Sequence, residues 1–193
     1  MFNEEYIKAK AGIAMPEHRL RHALGVAETA EILARRFGAD PQRARLAGLL
    51  HDIARDFADD EMLRRAKAAQ LQVSEYGFAM PLLLHGPVAA VMAREEYGVA
   101  DPEILQAIAV HTVGSEYMSQ LDKVLFVADK IEPNRRHGSV QEIRQQAETD
   151  LDAALLSCLD ESIRYALKIG CLLHPTSVKA RNAVLTTRGC FRK

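Results

Sequence analysis

Along most of the chain, apolar residues recur at steps of three and four, the period of an α-helix that buries one face. The clearest stretch is 17–37, where Leu20, Leu24, Ala27, Ala30, Ala34 and Phe37 line one side and Gly38 follows as a stop. Two further starts are written as Asp-Pro, at Asp40-Pro41 and Asp101-Pro102. In each, the aspartate can accept from the free N–H groups of the first turn, and the proline tolerates the first helical position because it has no N–H to satisfy. "SQLD" from Ser119 and "SVQE" from Ser139 have the form of capping boxes. The pattern predicts helices over 17–37, 41–57, 60–70, 81–97, 102–111, 120–131, 140–148, 151–169 and 176–187. Strand-like alternation is nearly absent, so the expected fold is all-α, a single domain over residues 1–193 with about eight to ten helices. The stretches 72–78, 112–118 and 132–138 are rich in polar and turn-forming residues and read as loops within that domain.

Composition narrows the function only by exclusion. The 193 residues are 48% hydrophobic and 26% charged with a formal net charge of −1, an ordinary globular balance without the basic surplus that would attract nucleic acid or an acidic membrane. The first fifteen residues have no apolar run of signal-peptide length, and no later run approaches the roughly 18 residues of a membrane span. The expected location is therefore cytoplasmic. Cys158, Cys171 and Cys190 are odd in number, widely spaced and lack a Cys-x-x-Cys pairing, so neither a disulfide framework nor a thiolate zinc site is indicated. A metal in this protein would be held by nitrogen and oxygen.

The informative residues are polar ones standing where the periodicity calls for apolar ones. His22 falls in the first long helix, His51 and Asp52 in the second, His85 opens "HGPVAAVMAREEYG", His111 closes "EILQAIAVH", and Asp129 sits in "LDKVLFVADKIEP". A single histidine on an apolar face is ordinarily a core residue bonded to a carbonyl, and Asp129 alone could be a buried ion-pair partner. Six such positions on five separate helices suggest one shared polar focus, since buried imidazoles and carboxylates need partners and a divalent metal satisfies several at once. Neighbours on a helix diverge by about 100°, so His51 and Asp52 cannot clamp one point by regular spacing. They can serve two adjacent metals if Asp52 bridges them. The all-N/O ligand set suits iron, manganese or zinc.

The series "RLRHALGVAETA", "LAGLLHDIARD", "LLLHGPVAA", "AVHT" and "FVADKIEPNR" resembles the HD-domain metal phosphohydrolases, and within them the YqeK family of symmetrical dinucleoside tetraphosphatases. The resemblance runs from about residue 17 to the tail "HPTSVKARNAVL". It implies an HD-type helical bundle and hydrolysis of diadenosine tetraphosphate to two ADP by hydroxide generated at two metal ions. The ions would be divalent or mixed-valence, iron first, with manganese or zinc as alternatives. By the same resemblance His22, His51, Asp52 and Asp129 match the ligands of a first metal and His85 and His111 those of a second, with Asp52 shared. Arg19 and Arg135 would contact the polyphosphate, each offering a planar charged fork to phosphate oxygens.

Arg55 stands where the HD-x-x-K pattern commonly has lysine and keeps its charge, so it joins Thr112 among the expected substrate contacts. Asp52 and Asp56 are the expected catalytic carboxylates, Asp56 as a residue that orients water. Val113, Ser115 and Lys130 depart from the family pattern and bear on substrate preference. His18, His137 and His174 carry no expected metal role. The expected partner is a small nucleotide substrate, with neither nucleic acid nor membrane, and a homodimer is an open option. Two other activities compete: a nucleotidase acting on nucleoside mono- or diphosphates, and a non-catalytic nucleotide-binding module.

Overall fold

The computed structural model describes residues 4–189, and among these there are eleven α-helices, one short 3-10 helix and no strand. In chain order they are α1 (Glu4–Ala14), α2 (Glu17–Phe37), α3 (Pro41–Leu50), α4 (Asp59–Ala68), α5 (Glu75–Ala79), the 3-10 turn Pro81–Leu84, α6 (His85–Glu95), α7 (Pro102–Val110), α8 (Gln120–Ile131), α9 (Val140–Gln146), α10 (Leu151–Lys168) and α11 (Pro175–Thr187). The fold is all-α, as the periodicity predicts. Two helices fall outside the predicted set: α1, and the five-residue α5, which begins within the stretch 72–78 expected to be a loop and runs one residue past it, and where the Ser74 hydroxyl accepts from the Gly77 N–H. Cys190 lies outside the described residues.

Helix starts follow their local chemistry. Asp40 accepts from the N–H groups of Gln42 and Arg43, Asp101 accepts from Glu103, and Ser119 and Asp122 exchange hydrogen bonds in a complete capping box. The second predicted box fails. Ser139 already has helical torsions (φ −89°, ψ −1°) and makes no side-chain cap bond; its hydroxyl instead lies 3.2 Å from His137 Nδ1. An extended N-cap residue is what aims the hydroxyl at the first turn, and Ser139 is not extended.

The more consequential difference lies at the end of α3. The pattern predicts one helix over 41–57, but regular helix stops at Leu50, and residues 51–56 form tight turns with bonds from Ile53 N–H to the Leu50 carbonyl and from Arg55 N–H to the Asp52 carbonyl. Ile53 and Ala54 are still buried, so the apolar pattern continues through the turns and conceals the break.

One continuous apolar core runs from Ile7 in α1 to Val184 in α11. α8 lies at its centre, packed against α2, α3, α7, α9 and α10, and is buried almost all round through Leu121, Val124, Leu125, Phe126, Val127, Ala128 and Ile131. Truncating the fully buried Phe126 to alanine would cost about 3–5 kcal/mol. This central placement also buries Asp129. Two glycines let the surrounding helices close on α8 at the level of the polar residues: Gly48 brings α3 against the backbone of α2 at Ala27, and Gly86 brings α6 against the Ala109 and Ile108 carbonyls of α7. No helix among the described residues is long and apolar enough to cross a membrane.

Candidate active site

The six polar residues that interrupt the apolar stripes meet at one place. His22 projects from the second turn of α2, His51 and Asp52 from the turn after α3, His85 from the first position of α6, His111 from just past the end of α7, and Asp129 from α8. Five of them are buried and the His22 side chain is only 11% exposed. The ligand atoms of His22, His51 and Asp129 lie within 4.8 Å of one another, and so do those of His51, Asp52 and His111. Asp52 stands between the histidines with its oxygens facing opposite ways. Its Oδ1 is 3.2 Å from His85 Nε2 and 3.6 Å from His111 Nε2, while Oδ2 is 3.8 Å from His22 Nε2 and 3.7 Å from His51 Nε2. Asp129 Oδ1 lies 3.1 Å from His22 Nε2 and 3.8 Å from His51 Nε2.

The other ring nitrogens explain this orientation. His51 Nδ1 donates to the Gly48 carbonyl (2.7 Å), His85 Nδ1 to Leu82 (2.5 Å) and His111 Nδ1 to Ile108 (2.7 Å). A carbonyl only accepts, so each of these Nδ1 atoms carries the proton and each Nε2 presents a lone pair to the centre. The carbonyl bond of an ordinary buried histidine is thus present at three positions, and here it aims a donor atom inward. His51 Nε2 is buried with no hydrogen-bond partner among the described residues. His85 Nε2 and His111 Nε2 face each other at 3.0 Å. Two lone pairs converging beside a carboxylate, and a third left unpaired, are the donor set of a divalent cation, and all the donors are nitrogen or oxygen.

Electrostatics agree with that reading. Burial pushes His51 down to about 4 and also lowers His85, which keeps both imidazoles neutral near pH 7. Burial opposes the charge on Asp52, and a facing His51, His111 or His85 ring favours it only when that ring is protonated; the carboxyl is held below the usual range, with Arg19 Nη1 donating to it at 3.0 Å. Burial likewise opposes the charge on Asp129, where Lys130, His22 and Arg135 outweigh it. Neutral imidazoles and ionised carboxylates are the states that bind metal.

Beside the six residues opens a cavity of about 390 Å³, large enough for a nucleotide. Arg19, Arg55, Thr112 and Arg135, the expected substrate contacts, all line it. Thr112 Oγ1 is 3.2 Å from His85 Nε2, and Arg55 has no ion-pair partner among the described residues. Arg135 donates to Asp129 Oδ1 (2.5 Å) and to the Asp129 carbonyl (2.8 Å), and Lys130 pairs with Asp129 Oδ2 at 2.7 Å. Asp56 does not line the cavity: Arg19 Nε and Nη2 donate to its two oxygens at 3.1 and 2.9 Å, while Arg19 Nη1 donates to Asp52 at 3.0 Å. These bonds to Asp56 raise the Arg19 pKa and lower that of Asp56. His137 bonds the Lys130 carbonyl, His174 caps α11 and His18 is exposed, so none of the three joins the cluster.

Sequence reasoning missed Glu132 and the wall that α10 contributes. Cys158, Glu161, Ser162 and Tyr165 line the cavity at helical spacing, one face of α10. That spacing is legible in the chain, but nothing local says that this face looks onto the site.

A model of the HD domain matches residues 19–134. The chain is 43% identical over 173 residues to a symmetrical bis(5'-nucleosyl)-tetraphosphatase of Halalkalibacterium halodurans, covering 89% of this chain and 91% of that one. It is 40% identical over 166 residues to the Bacillus subtilis protein of the same name, covering 86% and 89%. A crystal structure from Clostridium acetobutylicum, described as an HD superfamily hydrolase involved in NAD metabolism, superposes with a TM-score of 0.93 at 33% identity over 97% of this chain and 99% of that one. The match begins at Arg19 and ends at Asn134, and so spans His22, both members of the His51-Asp52 pair, His85, His111 and Asp129. With those six residues converging as they do, the chain belongs to the HD-domain family, in the branch that holds these symmetrical tetraphosphatases.

Proposed function

We propose that this protein hydrolyses diadenosine tetraphosphate symmetrically to two ADP, with two divalent metal ions held in one HD-type domain. The observation that carries the two-ion reading is the Asp52 carboxylate, which turns one oxygen to the His85–His111 pair and the other to the His22–His51 pair. Asp52 would then be shared, with His22, His51 and Asp129 holding one ion and His85 and His111 the other. Iron is the first candidate for this N/O ligand set, with manganese and zinc as alternatives. Ions bound there would supply Lewis-acid neutralisation of phosphate oxygens and activate water for attack.

The chain's own groups bind and orient. Arg55, Arg135 and Lys130 line the cavity and would meet the polyphosphate, Arg135 and Lys130 while also paired with Asp129. Thr112 offers a hydroxyl next to His85. Arg19 is held by Asp56 so that its remaining N–H groups face Asp52 and the cavity; Asp56 acts through Arg19 and not on water directly. Along α10 the cavity is polar at Glu161 and Ser162 and ends at Tyr165, 62% exposed, whose ring offers a stacking face to a purine. Flanking cations that centre the tetraphosphate would put two phosphates on either side of its middle P–O–P bridge. Attack of water at one inner phosphorus then breaks its bond to the bridging oxygen; that half leaves the site as ADP carrying the water oxygen, and the other half departs as ADP, a leaving group that needs little protonation.

The deciding experiment incubates metal-loaded protein with diadenosine tetraphosphate in oxygen-18 water and resolves the products by chromatography and mass spectrometry. ADP alone, with label in ADP, is the expected result. ATP and AMP in equal amounts would reject the symmetrical register. Dephosphorylation of mononucleotides with the tetraphosphate left intact would support the nucleotidase alternative.

A further inference from the structure

Three of the four converging histidines stand at helix ends and are aimed by a carbonyl three residues earlier in the chain. His22 does not use that device. It lies in the interior of α2, where the preceding carbonyls already serve the helical ladder. Its Nδ1 lies 3.1 Å from Oε1 of Glu132, a residue 110 positions away that closes α8 and is 1% exposed. Oε2 of the same carboxylate accepts from the Asn134 N–H at 2.7 Å and from its Nδ2 at 3.1 Å, and since an ionised carboxylate only accepts, the contact at Oε1 calls for the proton on His22 Nδ1. The Glu132 backbone is pinned as well, its carbonyl accepting from Arg144 Nη2 at 2.7 Å. The surface of α2 is cut away to admit the carboxylate: a Cβ on Gly25, one turn beyond His22, would lie 2.7 Å from Oε2.

We propose that Glu132 is a positioning residue for His22, and that its carboxylate makes the His22–His51–Asp129 position the tighter of the two metal positions. The inference rests on the two-ion reading above. A carboxylate accepting from Nδ1–H forms a charge-assisted bond, stronger than the carbonyl bonds behind the other three rings, and it raises the donor strength of Nε2 on the far side of the ring. The two positions are therefore unequal, although each contains histidine nitrogen and carboxylate oxygen.

The test uses the metal alone and needs no substrate. The full-length metal-free protein, with ¹⁵N-labelled histidine, is titrated with Zn²⁺ while the four ring signals are followed by NMR. The His22 signals should change over the first equivalent and those of His85 and His111 over the second. In parallel, calorimetric titration of Glu132→Gln and Gly25→Ala should show one of the two affinities weakened about 10–100-fold and the other unchanged. His85 and His111 responding first would overturn the inference, as would folded variants that bind both ions like the parent. Binding of a single ion by the parent protein would instead overturn the two-ion reading itself.

Discussion

Gly48 meets Ala27 backbone to backbone: a Cβ on Gly48 would lie 2.6 Å from Ala27 Cα and 2.8 Å from its nitrogen. The Gly48 carbonyl also accepts from His51 Nδ1, so this contact between α3 and α2 sets how far His51 stands from His22, whose ring centroid is 5.2 Å away. Gly48→Ala should push the two helices apart, destabilise the protein by about 1–3 kcal/mol and lower metal content with it. Urea unfolding and elemental analysis measure both. An alanine variant as stable and as metal-rich as the parent would mean that the contact does not set the ligand spacing.

Asp52 is the group that faces both histidine pairs, whereas His85 faces one. Asp52→Asn should therefore reduce binding of both ions and His85→Ala of one. Helical content should be retained in each, because the surrounding core is untouched. Elemental analysis beside circular dichroism tests this, and equal losses in the two variants would remove the bridging role.

Metal-free protein should lose stability as the pH falls from about 6.5 to about 4. The His51 pKa is pushed down to about 4 by burial, below the ordinary value of about 6.5, so within that window the unfolded chain binds a proton that the folded chain does not. Stability then rises with pH across the window, by on the order of 3 kcal/mol for His51, and the lowered His85 adds in the same direction. Asp52 and Asp129 have lowered values, so their contribution is lost only at still lower pH. Urea midpoints measured in chelator between pH 7 and 4 should fall steadily; a flat profile would contradict the burial of neutral His51.

Asp56 holds Arg19 through two hydrogen bonds, so removing either partner should impair the same contact. Arg19→Ala should raise KM for the tetraphosphate more than it lowers kcat, Asp56→Asn should do so more weakly, and the double variant should be no worse than Arg19→Ala. Additive losses in kcat would show instead that Asp56 acts on its own, as a residue that orients water does.

Tyr165 should contribute base stacking and nothing to bond cleavage. Tyr165→Ala is expected to raise KM about 5- to 150-fold, the equivalent of about 1–3 kcal/mol of stacking, with kcat nearly unchanged. Tyr165→Phe should restore binding. An unaffected KM in the alanine variant would place the nucleoside elsewhere.

Whatever depends on near neighbours is readable in the chain. Asp40, Asp101 and Ser119 start helices because a cap bonds N–H groups two or three residues on, and the all-α class follows from a period written into every apolar stripe. The six converging residues were legible for a related reason: a histidine or carboxylate in an apolar stripe must find a partner, and the stripe itself shows that it points inward. The rest depends on packing between distant segments. The apolar pattern through Ile53 is the same whether α3 continues or stops at Leu50, and nothing in it shows that the adjacent His51 and Asp52, about 100° apart on a regular helix, reach one cluster; that depends on where α2, α6, α7 and α8 bring their own ligand atoms. Glu132 has an ordinary loop sequence around it and gains its meaning from His22, 110 residues away. No local pattern encodes a hydrogen bond across that separation, because the bond exists only once α2 and α8 have packed.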